Sequence, residues 1–328
     1  MIVFGEHKPV DVIALGRAGI DMNAVDMHLP MEKNMVFRKT VGGSPANIAT
    51  SCARYGLSVG FIGRVSDDQH GRYIRSFFTE NGIDTTCLIT DDLGGMNGLA
   101  FTEIQAQQSS YILHRDNVAD LNLSVSDIDE GYIGQSKLLV ISGTALSRGP
   151  SRESVFAALH YAREHQTRVM LDIDYRNYCW KSVEESSVYL TLAAEMSDIV
   201  IGTRDEYDML EKNYRGGNTD DARTAASLLS REPQIVIIKH GVAGSVAFTA
   251  DEVVQGAVFP VDPLKTMGAG DAYAGALIFG LLAKTSLKEA MRLGAAAAAI
   301  VVQRPDCSES MPSIEEVHEF LSTYVREV

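Results

Sequence analysis

The chain has 328 residues, 45% of them hydrophobic, and a formal net charge of −14. That is enough for one large α/β domain with a smaller appendage, and the acidity argues against a nucleic-acid or anionic-membrane surface, since both want excess Lys and Arg. Cys52, Cys87, Cys179 and Cys307 lie far apart with no paired spacing, so neither a zinc site nor a disulfide framework is expected, and a reducing cytoplasm is the expected setting.

Residues 1–8 carry charges and no long apolar run, so no signal peptide is expected. Asp11–Leu15 reads as a buried strand ending at Gly16, and Ser44-Pro45 as a helix start with an apolar face through Ile48, Cys52 and Tyr55. Val59–Val65 is a strand, His70–Asn81 a helix and Thr86–Thr90 a short strand. The β-branched runs Lys137–Ser142, Arg168–Ile173, Ile199–Gly202 and Ile235–Lys239 predict further strands. Most are separated by helical segments, among them Ser151–His165, Val183–Ser197 and Thr219–Arg231. This alternation predicts a mostly parallel sheet covered on both faces. Helices over Asp271–Ala283, Leu287–Gln303 and Ser313–Val325 complete the chain. The longest apolar runs, Ala274–Ala283 and Gly294–Val302, fall short of the ~18 residues that span a bilayer.

Two regions break the alternation. Asp21–Thr40 contains no convincing helix and no fully apolar strand. Gly98–His114 alternates, with Leu99, Phe101, Tyr111 and Leu113 fitting half-buried antiparallel strands around Gln105–Ser109. Both read as insertions forming a small sheet beside the strand ends, either a lid or two static surface hairpins. The chain is thus expected to be a single domain over residues 1–328, with lid segments at 18–40 and 97–119.

Four glycine-rich segments carry the chemistry. In Lys265-Thr266-Met267-Gly268-Ala269-Gly270-Asp271 a bare turn opens an apolar helix, exposing backbone N–H groups at the positive end of a helix dipole. Such a turn gathers phosphates, and Asp271 beside it is placed to act as a base toward an attacking hydroxyl. The alternative is a glycine-rich helix entry with Asp271 as dipole partner. Gly42-Gly43-Ser44-Pro45-Ala46-Asn47 lets a ligand approach the backbone and offers the Asn47 amide, which suits a polyhydroxylated molecule; a tight turn capped by Asn47 is the alternative. Gly16-Arg17-Ala18-Gly19-Ile20-Asp21 places a carboxylate beyond a strand's carboxyl end, where ligands of α/β sheets collect. It lacks the third glycine and the helix of a dinucleotide fingerprint, which removes the main support for a dehydrogenase. Lys239-His240-Gly241-Val242-Ala243-Gly244 follows a buried strand and is either a nucleotide-edge turn or a plain hairpin.

Gly42-Gly43 with Asn47, followed far downstream by Gly268-Ala269-Gly270-Asp271, resembles the two signatures of the ribokinase-type (PfkB) sugar kinases, in the same order. Gly63 to Gly71 and Asp198-Ile199-Val200 leading to Glu206 support the match, which covers the chain from Asp11 onward. The resemblance implies a three-layer α/β/α fold with a small β lid that often forms a dimer interface, and ATP- and Mg²⁺-dependent phosphorylation of a sugar's primary hydroxyl. It implies Asp271 as the base, Gly268, Ala269 and Gly270 as the anion hole, and Asp21, Gly42, Gly43 and Asn47 as sugar ligands. Lys239, Gly241 and Gly244 fall at the ATP edge, and Glu206 would act on Mg²⁺ through water.

Asp172-Ile173-Asp174-Tyr175-Arg176 and Trp180 resemble a segment of the branch acting on keto-deoxy sugar acids, with Asp174 in place of an Asn. Arg115 matches a lid arginine of that branch. Two guanidinium groups suit a carboxylate by their paired donors. The implied substrate is therefore a six-carbon keto-deoxy sugar acid of the 5-keto-2-deoxy or 2-keto-3-deoxy type, with neutral fructose or ribose as the rival. Arg115 paired with Asp116, and Arg176 paired with Asp172 or Asp174 or facing ATP phosphates, are the alternatives. Two departures stand out. Lys265 replaces the Asp that usually helps bind a monovalent cation, so potassium activation is not expected, and Thr203 replaces the Asn of an Asn-x-x-Glu segment near the metal.

Overall fold

The computed structural model describes residues 2–27, 29–104, 110–215 and 220–327. Strand β1 (Val10–Leu15) leads into β2 (Gly19–Ala24) and β3 (Phe37–Gly42), then helix α1 (Ser44–Arg54). Strand β4 (Val59–Val65), α2 (Gln69–Glu80), short β5 (Ile83–Asp84) and β6 (Leu88–Thr90) follow, then β7 (Leu99–Glu103) and β8 (Ser110–His114). After α3 (Glu130–Gly134) the chain alternates through β9 (Ser136–Ser142), α4 (Ser151–Glu164), β10 (Arg168–Asp172), α5 (Val183–Ala194) and β11 (Ile199–Thr203). Helices α6 (Arg204–Leu210), α7 (Lys212–Arg215) and α8 (Asp221–Leu229) precede β12 (Ile235–Lys239), β13 (Ser245–Phe248) and β14 (Val253–Gln255). Helices α9 (Ala269–Leu282), α10 (Leu287–Val301) and α11 (Ile314–Glu327) end the chain.

The main sheet has the order β14-β13-β12-β11-β10-β9-β1-β4-β5, with β6 also on β4, and only β13 and β14 run antiparallel to their neighbours. All seven residues of β4 are buried, as a strand covered on both faces requires. Along β1 the pleat sends Val12 and Ala14 into one core, shared with α1, α2, α9 and α10. Ile13 and Leu15 enter the other, shared with α4, α5, α6 and α8. That division makes three α/β/α layers, as expected. β1 lies between β4 and β9, so the order reverses at its carboxyl end, where α/β sheets form their binding crevice.

The two irregular regions together form a four-stranded sheet, β3-β2-β7-β8. This is the small sheet expected beside the strand ends; the bounds of β2 and β3 within it were not assigned because polar Asp21, Asn23, Arg38 and Lys39 interrupt the apolar pattern. They pair in antiparallel register, Gly19 opposite Gly42. β7 and β8 form the expected antiparallel pair, while Gln105–Ser109 lies outside the described residues. Helix α2 starts one residue earlier than expected because Asp68 caps it, accepting from the His70 and Gly71 amides.

Candidate active site

The carboxyl ends of β1, β10, β11 and β12 meet the first turns of α1 and α9 around a cleft of ≈ 370 Å³, and Asp21, Asn23, Ala100 and Leu113 of the small sheet help to line it. Helix α9 begins two residues before Asp271. Its N-cap is Gly268, in the left-handed region at φ 82°, and it carries no side-chain cap. The first-turn amides are thereby left for an outside acceptor. Gly268, Gly270 and Asp271 line the cleft, while Ala269 is not part of that lining.

The Asp271 carboxylate accepts hydrogen bonds from Ser44 Oγ at 2.8 Å and Asn47 Nδ2 at 2.6 Å. Asn47 is oriented in turn by Ser308 Oγ, which donates to Asn47 Oδ1 at 2.5 Å. Burial and the neighbouring Asp174 charge push the Asp271 carboxyl above its ordinary value, against the opposing pull of Asn47, Ser44 and Arg176. Ser44 Oγ also lies 3.1 Å from Asp172 Oδ2. A hydroxyl has one proton to donate, so Ser44 serves one of the two carboxylates at a time. Burial foremost raises Asp172, with Asp174, Glu206 and Asp271 adding to the effect and Lys239 opposing it.

The glycines before α1 serve the same cleft. Gly43 adopts φ 102°, and a Cβ there would come 2.7 Å from the Arg17 carbonyl oxygen. A Cβ on Gly42 would fall 2.2 Å from Asp21 Oδ1, so Gly42 makes room for the carboxylate that reaches over it. Burial foremost raises the Asp21 carboxyl to about 6, although the Arg17 and Lys265 charges oppose the shift.

The cations differ in how far they are already engaged. Lys239 Nζ stands 3.9 Å from Asp172 Oδ1, and a Cβ on Gly270 would lie 3.2 Å from that ammonium. An ammonium beside uncapped amides is an anion cradle. Arg176 pairs with Asp174 at 2.7 Å, one of the two partners considered for it. Arg115 does not pair with Asp116; it bonds Asp120 through both guanidinium nitrogens, at 3.3 and 2.6 Å. Lys265 is buried and donates to the Met267 carbonyl at 2.6 Å.

Glu206 faces the cleft, yet both its oxygens are occupied. Oε1 accepts from the Tyr175 amide at 3.0 Å and Oε2 from the Thr203 amide at 2.7 Å, as part of the capping box of α6. Thr203, which replaces the usual amide, is thus the cap of this helix. Gly241 and Gly244 turn β12 into β13 at φ 57° and 91° and stand outside the lining of the cleft.

Sequence reasoning did not assign roles to Ser44, Asp172, Ser308 or Arg17. Ser44 and Arg17 each adjoin a glycine of a motif already singled out, which was a usable signal. Nothing local to Ser308, 261 residues from Asn47, announces its contact.

The raised carboxyls set the sign of the pH dependence. With Asp21 and Asp271 in the ligand and base roles expected of them, both serve best when ionised, so kcat/KM for a sugar should fall as the pH drops through about 6, the value of Asp21. A rate profile flat down to pH ~4, the ordinary carboxylate value, would contradict this reading of the site.

The pfkB family carbohydrate kinase profile matches residues 11–314. A protein named 5-dehydro-2-deoxygluconokinase from Geobacillus kaustophilus is 50% identical over 323 residues, covering 98% of this chain and 96% of its own. One of the same name from Bacillus anthracis is 49% identical over 324 residues, with 98% of each chain covered. Among solved structures, a putative ribokinase II from E. coli in complex with ATP and Mg²⁺ superposes with a TM-score of 0.87 at 22% identity, covering 96% of this chain and 99% of its own, a likeness of fold. Profile and relatives span nearly the whole chain: it belongs to the pfkB family of carbohydrate kinases.

Proposed function

We propose that this kinase transfers the γ-phosphoryl group of ATP to the terminal hydroxyl of 5-dehydro-2-deoxy-D-gluconate, giving the 6-phosphate. The observation that carries the reading is the placement of Asp271, held by Ser44 and Asn47 beside the uncapped start of α9 and within one cleft with Lys239. The name shared by relatives at 49–50% identity supports the choice of substrate. In this reading Asp21, Gly43 and Asn47 hold sugar hydroxyls. Asp271 takes the proton of the terminal hydroxyl as its oxygen meets the γ-phosphorus, and its raised pKa strengthens it as a base. The α9 amides and Lys239 are preorganised toward charge on the transferred group, so little rearrangement accompanies transfer.

Mg²⁺ carried by nucleotide phosphates needs only one or two protein oxygens, often through water. Glu206 retains lone pairs to hold it through water. Bound magnesium supplies charge neutralisation on the β- and γ-phosphates. The Lys265 ammonium stands in for a monovalent cation. A homodimer through the lid fits the exposed apolar side chains Val25, Met35, Val36, Tyr111 and Ile112 on or beside its strands.

One observation favours a neutral sugar. The two arginines expected to meet a carboxylate, Arg115 and Arg176, are both paired within the protein. A coupled ADP-release assay over 5-dehydro-2-deoxygluconate, 2-keto-3-deoxygluconate, fructose and ribose, with and without potassium, tests both points. The expected result is highest kcat/KM on the first acid, unchanged by potassium. Preference for fructose or ribose would sink the substrate assignment, and a strong potassium requirement would remove the role given to Lys265.

A further inference from the structure

With Arg115 and Arg176 engaged by aspartates, a sugar acid still needs a cation for its carboxylate. Arg17 lies in the turn between β1 and β2 and lines the cleft, as do Asp21 and Tyr178. Among the described residues it has no ion-pair partner, and its Nε is buried with no hydrogen-bond acceptor. Buried donors are nearly always satisfied, so a guanidinium left with an open N–H in a binding cleft points to a ligand acceptor. Its position is fixed from behind. The Arg17 carbonyl and Cγ sit where a side chain on Gly43 would stand, at 2.7 and 3.4 Å, which holds the stem against the sugar-side turn. Arg17 also counters the effect of burial on Asp21, Tyr178 and Cys179, so its charge is felt on both walls of this end of the cleft.

We propose that Arg17 is the residue that binds the substrate carboxylate and thereby selects acids over neutral sugars. Its two terminal nitrogens present a fork matched to a carboxylate's two oxygens. Arg115 and Arg176 act instead as ion-pair partners of the buried Asp120 and Asp174. The inference rests on the keto-acid reading above, and the experiment separates the two.

Arg17→Gln and Arg17→Lys are assayed on 5-dehydro-2-deoxygluconate beside wild type, with fructose as the neutral probe, after thermal melts show an unchanged midpoint. Arg17→Gln should raise KM for the acid at least about thirtyfold, leave KM for ATP within twofold, and leave any turnover of fructose unaltered. Arg17→Lys should recover part of the loss, since it restores charge without the fork. An acid KM within threefold of wild type overturns the proposal. So does an equal loss on acid and fructose, or a parallel rise in KM for ATP. Wild type without activity on any acid overturns the substrate reading itself, whatever the variants do.

Discussion

Replacing Asp271 by Asn should lower kcat at least about a hundredfold, equivalent to ~2.7 kcal/mol of transition-state stabilisation, with ATP affinity nearly unchanged. The substitution keeps the shape of the side chain and removes its basicity. Its amide oxygen still accepts from Asn47 Nδ2, and its NH₂ group donates to Ser44 Oγ, whose own proton then serves Asp172. The local network therefore survives, and the loss falls on proton transfer alone. Coupled-assay turnover and a nucleotide titration on one preparation check the two halves. Turnover within tenfold of wild type would take Asp271 out of the base role.

Gly42→Ala should raise KM for the sugar about tenfold or more, leaving KM for ATP unchanged. The new Cβ would stand 2.2 Å from Asp21 Oδ1 and 2.3 Å from its Cγ and Oδ2, so the carboxylate must swing away from the sugar hydroxyls it is proposed to hold. Asp21→Ala should produce a loss of similar size by deleting the same acceptor. The double variant is the sharper measurement. With Asp21 truncated, the methyl group on residue 42 has no carboxylate to displace, so Gly42→Ala adds little on that background. Losses that simply add would show that Gly42 acts through something other than Asp21.

Much of this was open to reading before any coordinates. Continuous β-branched runs such as Ile235–Lys239 have one stable destination, a sheet covered on both faces. The glycine turns at 42–43 and 268–270 announce bare backbone whatever surrounds them. The small sheet was anticipated, but the bounds of β2 and β3 were not legible, for a physical reason. They belong to a small sheet with one face toward the cleft, and polar site residues such as Asp21 and Asn23 occupy positions where apolar periodicity was sought. The carboxylate chemistry was half legible. Two arginines in the right segments suggested acid recognition, but a guanidinium in a sequence does not show which acid it faces.

The sequence by itself determined the layered α/β scaffold, the bare glycine turn and the carboxylate beside it, because periodicity and glycine placement act over a few residues. Only the tertiary structure decided which charges neutralise one another. Arg115 reaches Asp120, Arg176 reaches Asp174, Ser308 crosses from the far end of the chain to orient Asn47, and Arg17 keeps an unfilled donor. Charge pairing depends on distances of a few ångströms between side chains carried on different elements, and those distances exist only once the two sheets and the helices have packed.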